Sequence, residues 1–312
     1  MKRDLISIAD LTRGELEEIL SCAQRLKADR KAGWPHPILV GKTLAMIFEK
    51  PSLRTRVTFE VGMTQLGGSV VYLAPPDIGL GTRETVPDVA QNLSRWVDLI
   101  MARTFTHRTV VELAQHATIP VINGLSDLLH PCQILADCLT LIEHRGRLDG
   151  LNVAFVGDGN NVVNSWINAA SKFPFAFAVA CPAGYEPDTD VLARARQHGA
   201  QVTITQSVEE AVRDADAVYT DVWTSMGQEK ESAIRREAFK PYQVNAAVMA
   251  QAKKDALVMH CLPAHRGEEI TADVLEGPQS VALEQSENRL HIQKAIMVWL
   301  LRQRRQGDGG QP

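Results

Sequence analysis

Cysteine is scarce in this chain, and its pattern is wrong for cross-linking. The five residues stand at 22, 132, 138, 181 and 261, an odd number with no C-x-x-C pair. That argues against a disulfide framework and against a structural zinc site. Long apolar runs are missing too. No stretch approaches the ~20 residues that span a bilayer, and Met1-Lys2-Arg3-Asp4 leads into no apolar signal core. Basic charge is not in excess: 33 Lys and Arg stand against 37 Asp and Glu, a formal net charge of −4. Nucleic acid and membrane surfaces are therefore not expected as partners. There is no short-period repeat and no low-complexity segment. What is left is the expectation of a reduced, soluble, cytoplasmic protein.

Its 312 residues suit two domains of ordinary size, and an apolar fraction of 45% supplies real cores. Strand-like and helix-like segments alternate, which predicts α/β layering. A first helix starts at Thr12, with Glu15 completing a capping box. Strands are predicted at Thr43–Phe48, Val70–Leu73, Leu99–Ala102 and Pro120–Asn123, followed by a longer helix from Pro131 to Arg145 that Gly146 ends. A second series has strands at Leu151–Val156, Phe177–Cys181, Val202–Thr205, Ala217–Thr220 and Ala256–His260. A last helix, Glu287 to Arg305, precedes a glycine-rich tail expected to fray. The simplest architecture is two α/β domains of similar size, joined by the helix near residues 131–145. In such sheets ligands bind beyond the carboxyl ends of strands.

The loops after strands carry the chemistry. Ser52-Leu53-Arg54-Thr55-Arg56 opens a helical segment with Leu53, Val57 and Val61 on one stripe and Phe59, Met63 and Leu66 on another. Ser52 stands at the N-cap, where free N–H groups and the helix dipole suit an oxyanion, above all phosphate. The arginines add planar forks of matching geometry. An ordinary N-cap with solvated arginines is the alternative on these five residues alone. Arg103 ends an apolar strand, where it can terminate the strand or serve a site. His130-Pro131-Cys132-Gln133 starts a helix with proline, which would hold His130 rigidly and place Gln133 about one turn further in. The imidazole could donate to a carbonyl oxygen gaining charge, or be structural.

Gly157-Asp158-Gly159-Asn160-Asn161 resembles a dinucleotide fingerprint poorly. Val162 occupies the third-glycine position, and the next strand ends at Cys181-Pro182 without a ribose-binding acid. A nicotinamide cofactor is not expected, and the turn suits a small carboxylate instead. Asp221-Val222-Trp223-Thr224-Ser225-Met226-Gly227 could bind an ammonium group, or be a surface loop capped by Asp221. His260, Cys261 and His265 suggest a metal, but no second ligand cluster stands at typical spacing, so no metal is assigned. A cysteine nucleophile lacks an evident base partner. Arg289 heads the final helix, where an exposed helical arginine is the alternative.

Taken together, these fragments resemble the ornithine carbamoyltransferases of the aspartate/ornithine carbamoyltransferase superfamily over nearly the whole chain. S-x-R-T-R at 52–56 and H-P-x-Q at 130–133 resemble the elements shared across carbamoyltransferases. G-D-G-N-N at 157–161, D-x-W-x-S-M-G at 221–227 and H-C-L-P at 260–263 resemble those of the ornithine branch. The resemblance implies two doubly wound α/β domains with central, mainly parallel sheets joined by interdomain helices. Residues 1–146, with the C-terminal helix 286–312 packing back, would bind carbamoyl phosphate, and residues 147–285 ornithine. Ser52, Arg54 and Thr55 would hold the phosphate, with Leu53 supplying backbone. Arg103, His130 and Thr55 would surround the carbamoyl oxygen, with Pro131 and Cys132 in the same element. Gln133 and the backbone of Leu262 would hold the carbamoyl nitrogen, and Arg289 would complete that pocket. Asn161 would bind the ornithine carboxylate. Asp221 would pair with the α-ammonium, with Ser225 and Met226 shaping the pocket and Cys261 near the reacting δ-amine.

The implied reaction is carbamoyl transfer from carbamoyl phosphate to ornithine, giving citrulline and phosphate, in a cytoplasmic homotrimer without a cofactor. One departure is Gly79, which stands where many relatives carry a glutamine thought to reach a neighbouring subunit's phosphate site. Putrescine and N-acetylornithine are the rival amines. Asn161 argues against the first, which has no carboxylate, and Asp221 against the second, which has no free α-ammonium. A non-catalytic binding protein is the rival of another class, and the full set Arg54, Arg103, His130 and Gln133 argues against it.

Overall fold

The computed structural model describes residues 2–224 and 229–307. The chain divides into two compact units, one of Met1–Leu139 with Asn288–Pro312 and one of Thr140–Glu287.

In the first unit the strands are β1 (Thr43–Phe48), β2 (Ser69–Leu73), β3 (Leu99–Arg103) and β4 (Val121–Leu125). They pair in the order β2-β1-β3-β4, all parallel. Parallel pairing needs a crossover between strands, which explains the alternation with helices seen in the sequence. The strand order reverses between β1 and β3. That opens a crevice at their carboxyl ends, and the register sets Phe48 of β1 beside Arg103 of β3.

The first helix, Arg13–Lys31, starts at Thr12 with the expected capping box to Glu15. The helix Leu53–Gln65 has Ser52 as its N-cap. Its two stripes part company: Phe59, Met63 and Leu66 are fully buried, while Leu53, Val57 and Val61 are exposed. The Phe59, Met63 and Leu66 stripe faces the core; burial of side chains of this size contributes about 1.5–3 kcal/mol each. The final helix, Ala282–Gly307, begins five residues earlier than the sequence suggests. Val281 is pinned by its N–H to Val258 O, and Gln285 N–H already donates back to Val281 O. Within the first unit this helix packs on Arg13–Lys31 through Lys27 Nζ to Asn288 Oδ1 (2.7 Å) and Trp299 Nε1 to Glu18 Oε2 (2.9 Å).

The second unit contains β5 (Asn152–Val156), β6 (Ala176–Ala180), β7 (Gln201–Thr205), β8 (Ala217–Thr220) and β9 (Leu257–His260). These form one parallel sheet in the order β7-β6-β5-β8-β9. Here the order reverses between β5 and β8, so the loops after Val156 and Thr220 face one crevice. Its core includes Val156, Val218, Phe239 and Val258. Both sheets are parallel α/β sheets, as the alternation predicts.

Candidate active site

In the first unit, the chain leaves β1 and reaches Ser52, whose Oγ accepts the Thr55 N–H at 3.2 Å. The capping hydroxyl keeps its own proton to donate outward. Leu53 is exposed, Arg54 half-buried and Thr55 buried. Arg103 ends β3 and is 5% exposed. His130, also buried, directly precedes the helix Pro131–Arg145. Proline at the first helical position is pre-set for the helix and gives up no needed donor. Cys132 is turned into the core, its Sγ directed at Asn123 O, and burial pushes its thiol up to about 12. It can offer a ligand backbone but no thiolate.

Arg289 is not the exposed helical residue that the bland alternative would have. It is 2% exposed, and its two terminal nitrogens donate to Gln133 Oε1 at 2.7 Å and Thr55 Oγ1 at 3.2 Å. Gln133 passes the chain on, its Nε2 donating to Asp137 Oδ1 at 2.9 Å. The elements carrying Thr55, Gln133 and Arg289 are thus tied together by one buried network, and Asp137 is a member that motif reading missed. Burial, with Arg289, Arg103 and Arg54 close by, holds the His130 pKa well below the usual histidine range. Three arginines thus stand close to a neutral imidazole. This arrangement suits a multiply charged phosphate next to a carbonyl oxygen that needs a donor.

Gly79 ends the short helix Pro75–Ile78 at φ 59°, in the left-handed region. A Cβ there would come within 2.8 Å of Arg83 Cβ, so a glutamine would be strained in this backbone.

In the second unit, Gly157 leaves β5 at φ 143°. A Cβ on Gly159 would meet Pro187 N at 2.3 Å, so that position accepts only glycine as the chain runs. Asn160 then caps the helix Asn161–Ala170, its Oδ1 accepting the N–H groups of Val162 and Val163. Its Nδ2 donates to Asp221 Oδ2 at 2.9 Å. The other Asp221 oxygen accepts Cys261 Sγ–H at 3.0 Å and Val222 N–H at 2.8 Å. Asp221 and Cys261 therefore meet, as β8–β9 pairing of Thr220 with His260 requires. Asn161 stands half-buried at the first helical position. Ser225 and Met226 lie outside the described residues.

Motif reading passed over Asn160, although an asparagine at a helix start signals an N-cap. It also missed Arg235, 3% exposed, which donates through Nε to Trp223 O at 2.6 Å and pairs with Asp158. Arg235 also lies over the Tyr185 ring at 4.8 Å. This arginine staples the loop carrying Asp221 to the glycine turn. Burial raises the Asp158 pKa to about 6, Arg235 opposing and Asp221 adding to the rise. No local sequence signal marks this pair, because its members lie 77 residues apart.

Asp221, His260 and Cys261 bring ligand atoms within 4.8 Å of one another. Both ring nitrogens of His260 are nevertheless engaged, Nε2 with Glu269 at 3.1 Å and Nδ1 with Leu262 N–H at 2.8 Å. An ion could use this ring only by breaking one of those bonds.

Two family models match the chain. Residues 3–143 match "Aspartate/ornithine carbamoyltransferase, carbamoyl-P binding domain", and residues 149–300 match "Aspartate/ornithine carbamoyltransferase, Asp/Orn binding domain". The ornithine carbamoyltransferase of Syntrophus aciditrophicus is 55% identical over 302 residues, 96% of this chain and 100% of that protein. The solved structure of the Pyrococcus furiosus ornithine carbamoyltransferase is 51% identical with a TM-score of 0.92, covering 95% of this chain and 96% of that one. The anabolic ornithine carbamoyltransferase of Campylobacter jejuni is 36% identical, also with a TM-score of 0.92, over 97% of this chain and 100% of its own. By its sequence, its two parallel sheets and its polar residues at their carboxyl ends, this chain belongs to the aspartate/ornithine carbamoyltransferase family.

Proposed function

We propose that this chain is a carbamoyltransferase that moves the carbamoyl group of carbamoyl phosphate to the δ-amine of L-ornithine, releasing L-citrulline and phosphate. The observation that carries this reading is the buried network in which Arg289 donates to Gln133 Oε1 and Thr55 Oγ1, tying the S-x-R-T-R and H-P-C-Q turns to the final helix. The names of relatives at 55% and 51% identity support ornithine as the acceptor.

In the first unit, Ser52, Arg54 and Thr55 hold the phosphate, with the Leu53 backbone. Arg103, His130 and Thr55 donate to the carbamoyl oxygen, and Gln133, oriented by Arg289 and Asp137, holds the carbamoyl nitrogen with Pro131 and Cys132 supplying backbone. In the second unit, Asn161 takes the ornithine carboxylate and Asp221 the α-ammonium. Cys261 lies by the δ-amine, and the Leu262 backbone serves the carbamoyl nitrogen.

The neutral δ-amine attacks the carbonyl carbon directly. A C–N bond forms, the oxygen takes on charge, and the tetrahedral species collapses by breaking the C–O bond to phosphate. The departing phosphate takes the amine proton. No covalent enzyme intermediate is needed. Holding two reactants in line contributes roughly 7–11 kcal/mol, and each donor aimed at the developing oxyanion about 3–4 kcal/mol. Neutral His130 is suited to this because it donates without competing with the arginines for phosphate.

The activity belongs to arginine biosynthesis in the cytoplasm. The printed name of the anabolic Campylobacter relative supports the direction, and five cysteines outside any disulfide support a reducing compartment. A homotrimer is the proposed assembly; exposed Leu53, Val57, Val61 and Val71, on and beside the helix after β1, support an apolar interface. Citrulline formation by purified protein, run beside Arg54→Ala, tests the core of the reading. Turnover that collapses in the variant is expected. Carbamoylation of putrescine or N-acetylornithine instead would move the error to the amine pocket, and no turnover with any amine would overturn the reading.

A further inference from the structure

We infer that Glu269 and His260 form a buried positioning pair. The pair holds the Cys261–Leu262 turn in its working conformation and acts on substrate only through that turn. The inference rests on the carbamoyl-transfer reading, in which this turn meets the reacting groups.

Both residues are 0% exposed. Glu269 Oε1 accepts twice, from His260 Nε2 at 3.1 Å and from His265 N–H at 2.6 Å. A carboxylate only accepts, so the ring proton belongs on Nε2. Nδ1 is then bare, and it accepts the Leu262 N–H at 2.8 Å. A backbone N–H only donates, so the two ends of the ring demand the same tautomer. A proton on Nδ1 would face another donor and release Leu262. Glu269 thereby selects the tautomer, and His265, pinned to the same oxygen, fixes the far end of the loop.

The geometry at Leu262 shows what this does. Leu262 sits at φ 56°, one of two non-glycine residues with positive φ among those described. L-residues reach that region at a cost, and a leucine side chain offers no hydrogen bond to offset it. The His260 ring supplies the missing local bond. The backbone of His260 is held as well, its N–H donating to Gln285 Oε1 at 2.9 Å. With the Leu262 N–H taken by the ring, no described residue donates to the Leu262 carbonyl. That carbonyl is an acceptor suited to an amide N–H such as the carbamoyl nitrogen bears. The same turn carries Cys261 to Asp221.

Two substitutions separate this role from simple core filling. His260→Asn puts an oxygen near the place of Nδ1 and keeps an acceptor for Leu262. His260→Gln puts a donor near the place of Nε2, keeping the bond to Glu269 and losing the acceptor. A merely structural pair would favour glutamine. The inference expects the asparagine variant to stay within about tenfold of wild-type kcat/KM and the glutamine variant to fall about a hundredfold, the scale of an ångström-sized misplacement. Hydrogen exchange at the Leu262 amide should be slow in the wild type and His260→Asn and fast in His260→Gln. Equal activities beside an active wild type, or glutamine outperforming asparagine, would overturn this role alone. A wild type that forms no citrulline would overturn the parent reading and this role with it. Should neither variant fold, nitrogen-15 NMR of the wild-type histidines decides: His260 protonated on Nε2 is expected, and a proton on Nδ1 overturns the inference.

Discussion

Asn160 Nδ2 donates to Asp221 Oδ2 at 2.9 Å, joining the turn after β5 to the loop after β8. Those two strands flank the point where strand order reverses. The asparagine does double duty, since its oxygen caps the helix that follows. One side chain thus sets both the helix start and the orientation of the carboxylate assigned to the α-ammonium.

Asp221→Asn should lower kcat/KM for ornithine by roughly a hundredfold, since a hydrogen-bonded charge is worth about 1.5–3 kcal/mol. The KM for carbamoyl phosphate should hardly move. Steady-state kinetics with each substrate varied in turn checks this. A comparable loss in both parameters would place Asp221 elsewhere in the reaction.

His130 should make stability depend on acid in a particular direction. Its folded pKa is held well below 6.5 by burial and three arginines, while the unfolded residue titrates normally. Below that pH the unfolded chain binds a proton that the folded one refuses. The histidine's contribution is therefore complete above pH 6.5 and lost as pH falls, by up to about 1.4 kcal/mol per pH unit. Urea unfolding of wild type and His130→Gln at pH 7.5 and 5.5 should show the gap between them shifting against the wild type at the lower pH.

Removing Arg235 should hurt most at alkaline pH. Arg235→Leu leaves Asp158 buried without its cation, at a cost of about 3–5 kcal/mol when the carboxylate is charged. Arg235 is what pulls the Asp158 pKa down, so its loss drives that pKa above about 6. At pH 5 the acid is then protonated and the penalty shrinks. Thermal melts of the variant at pH 5 and 8, each referred to wild type, test the sign.

The rate at saturating substrates should climb from pH 6 to 9. A free δ-amine has a pKa near 10, like lysine, and only its neutral form attacks. A flat profile over that range would remove amine deprotonation from the rate-determining path.

If the exposed apolar stripe is the interface of the proposed homotrimer, light scattering should give a trimer. Val57→Glu should then shift the mass toward the monomer, because a charge buried there without a partner is costly.

Much of this was legible in the chain itself. The strands at Thr43–Phe48 and Ala217–Thr220 are short apolar runs bounded by turn signals, and they lie where periodicity places them. Thr12 and Ser52 are read as caps because capping is local, satisfied by residues two or three positions away. The S-x-R-T-R and H-P-C-Q elements are equally local, since strand-to-helix turns are built from consecutive residues. The early start of the last helix escaped because Val281 is fixed by a bridge to Val258, 23 positions back in the chain.

By itself, then, the sequence determined the alternation of elements, the caps and glycines of their turns, and the identity of the polar groups on those turns. All of these follow from contacts within a few residues. Only the tertiary structure decided that Arg289 is buried against Thr55 and Gln133, that Arg235 pairs with Asp158, and that Glu269 sets the tautomer of His260. The Arg289 and Arg235 contacts join residues 77 to 234 positions apart. They form because strand order and helix packing bring distant segments together, and burial then forces each polar group to find a partner. The Glu269–His260 contact spans nine positions, but burial of both residues is what makes it binding.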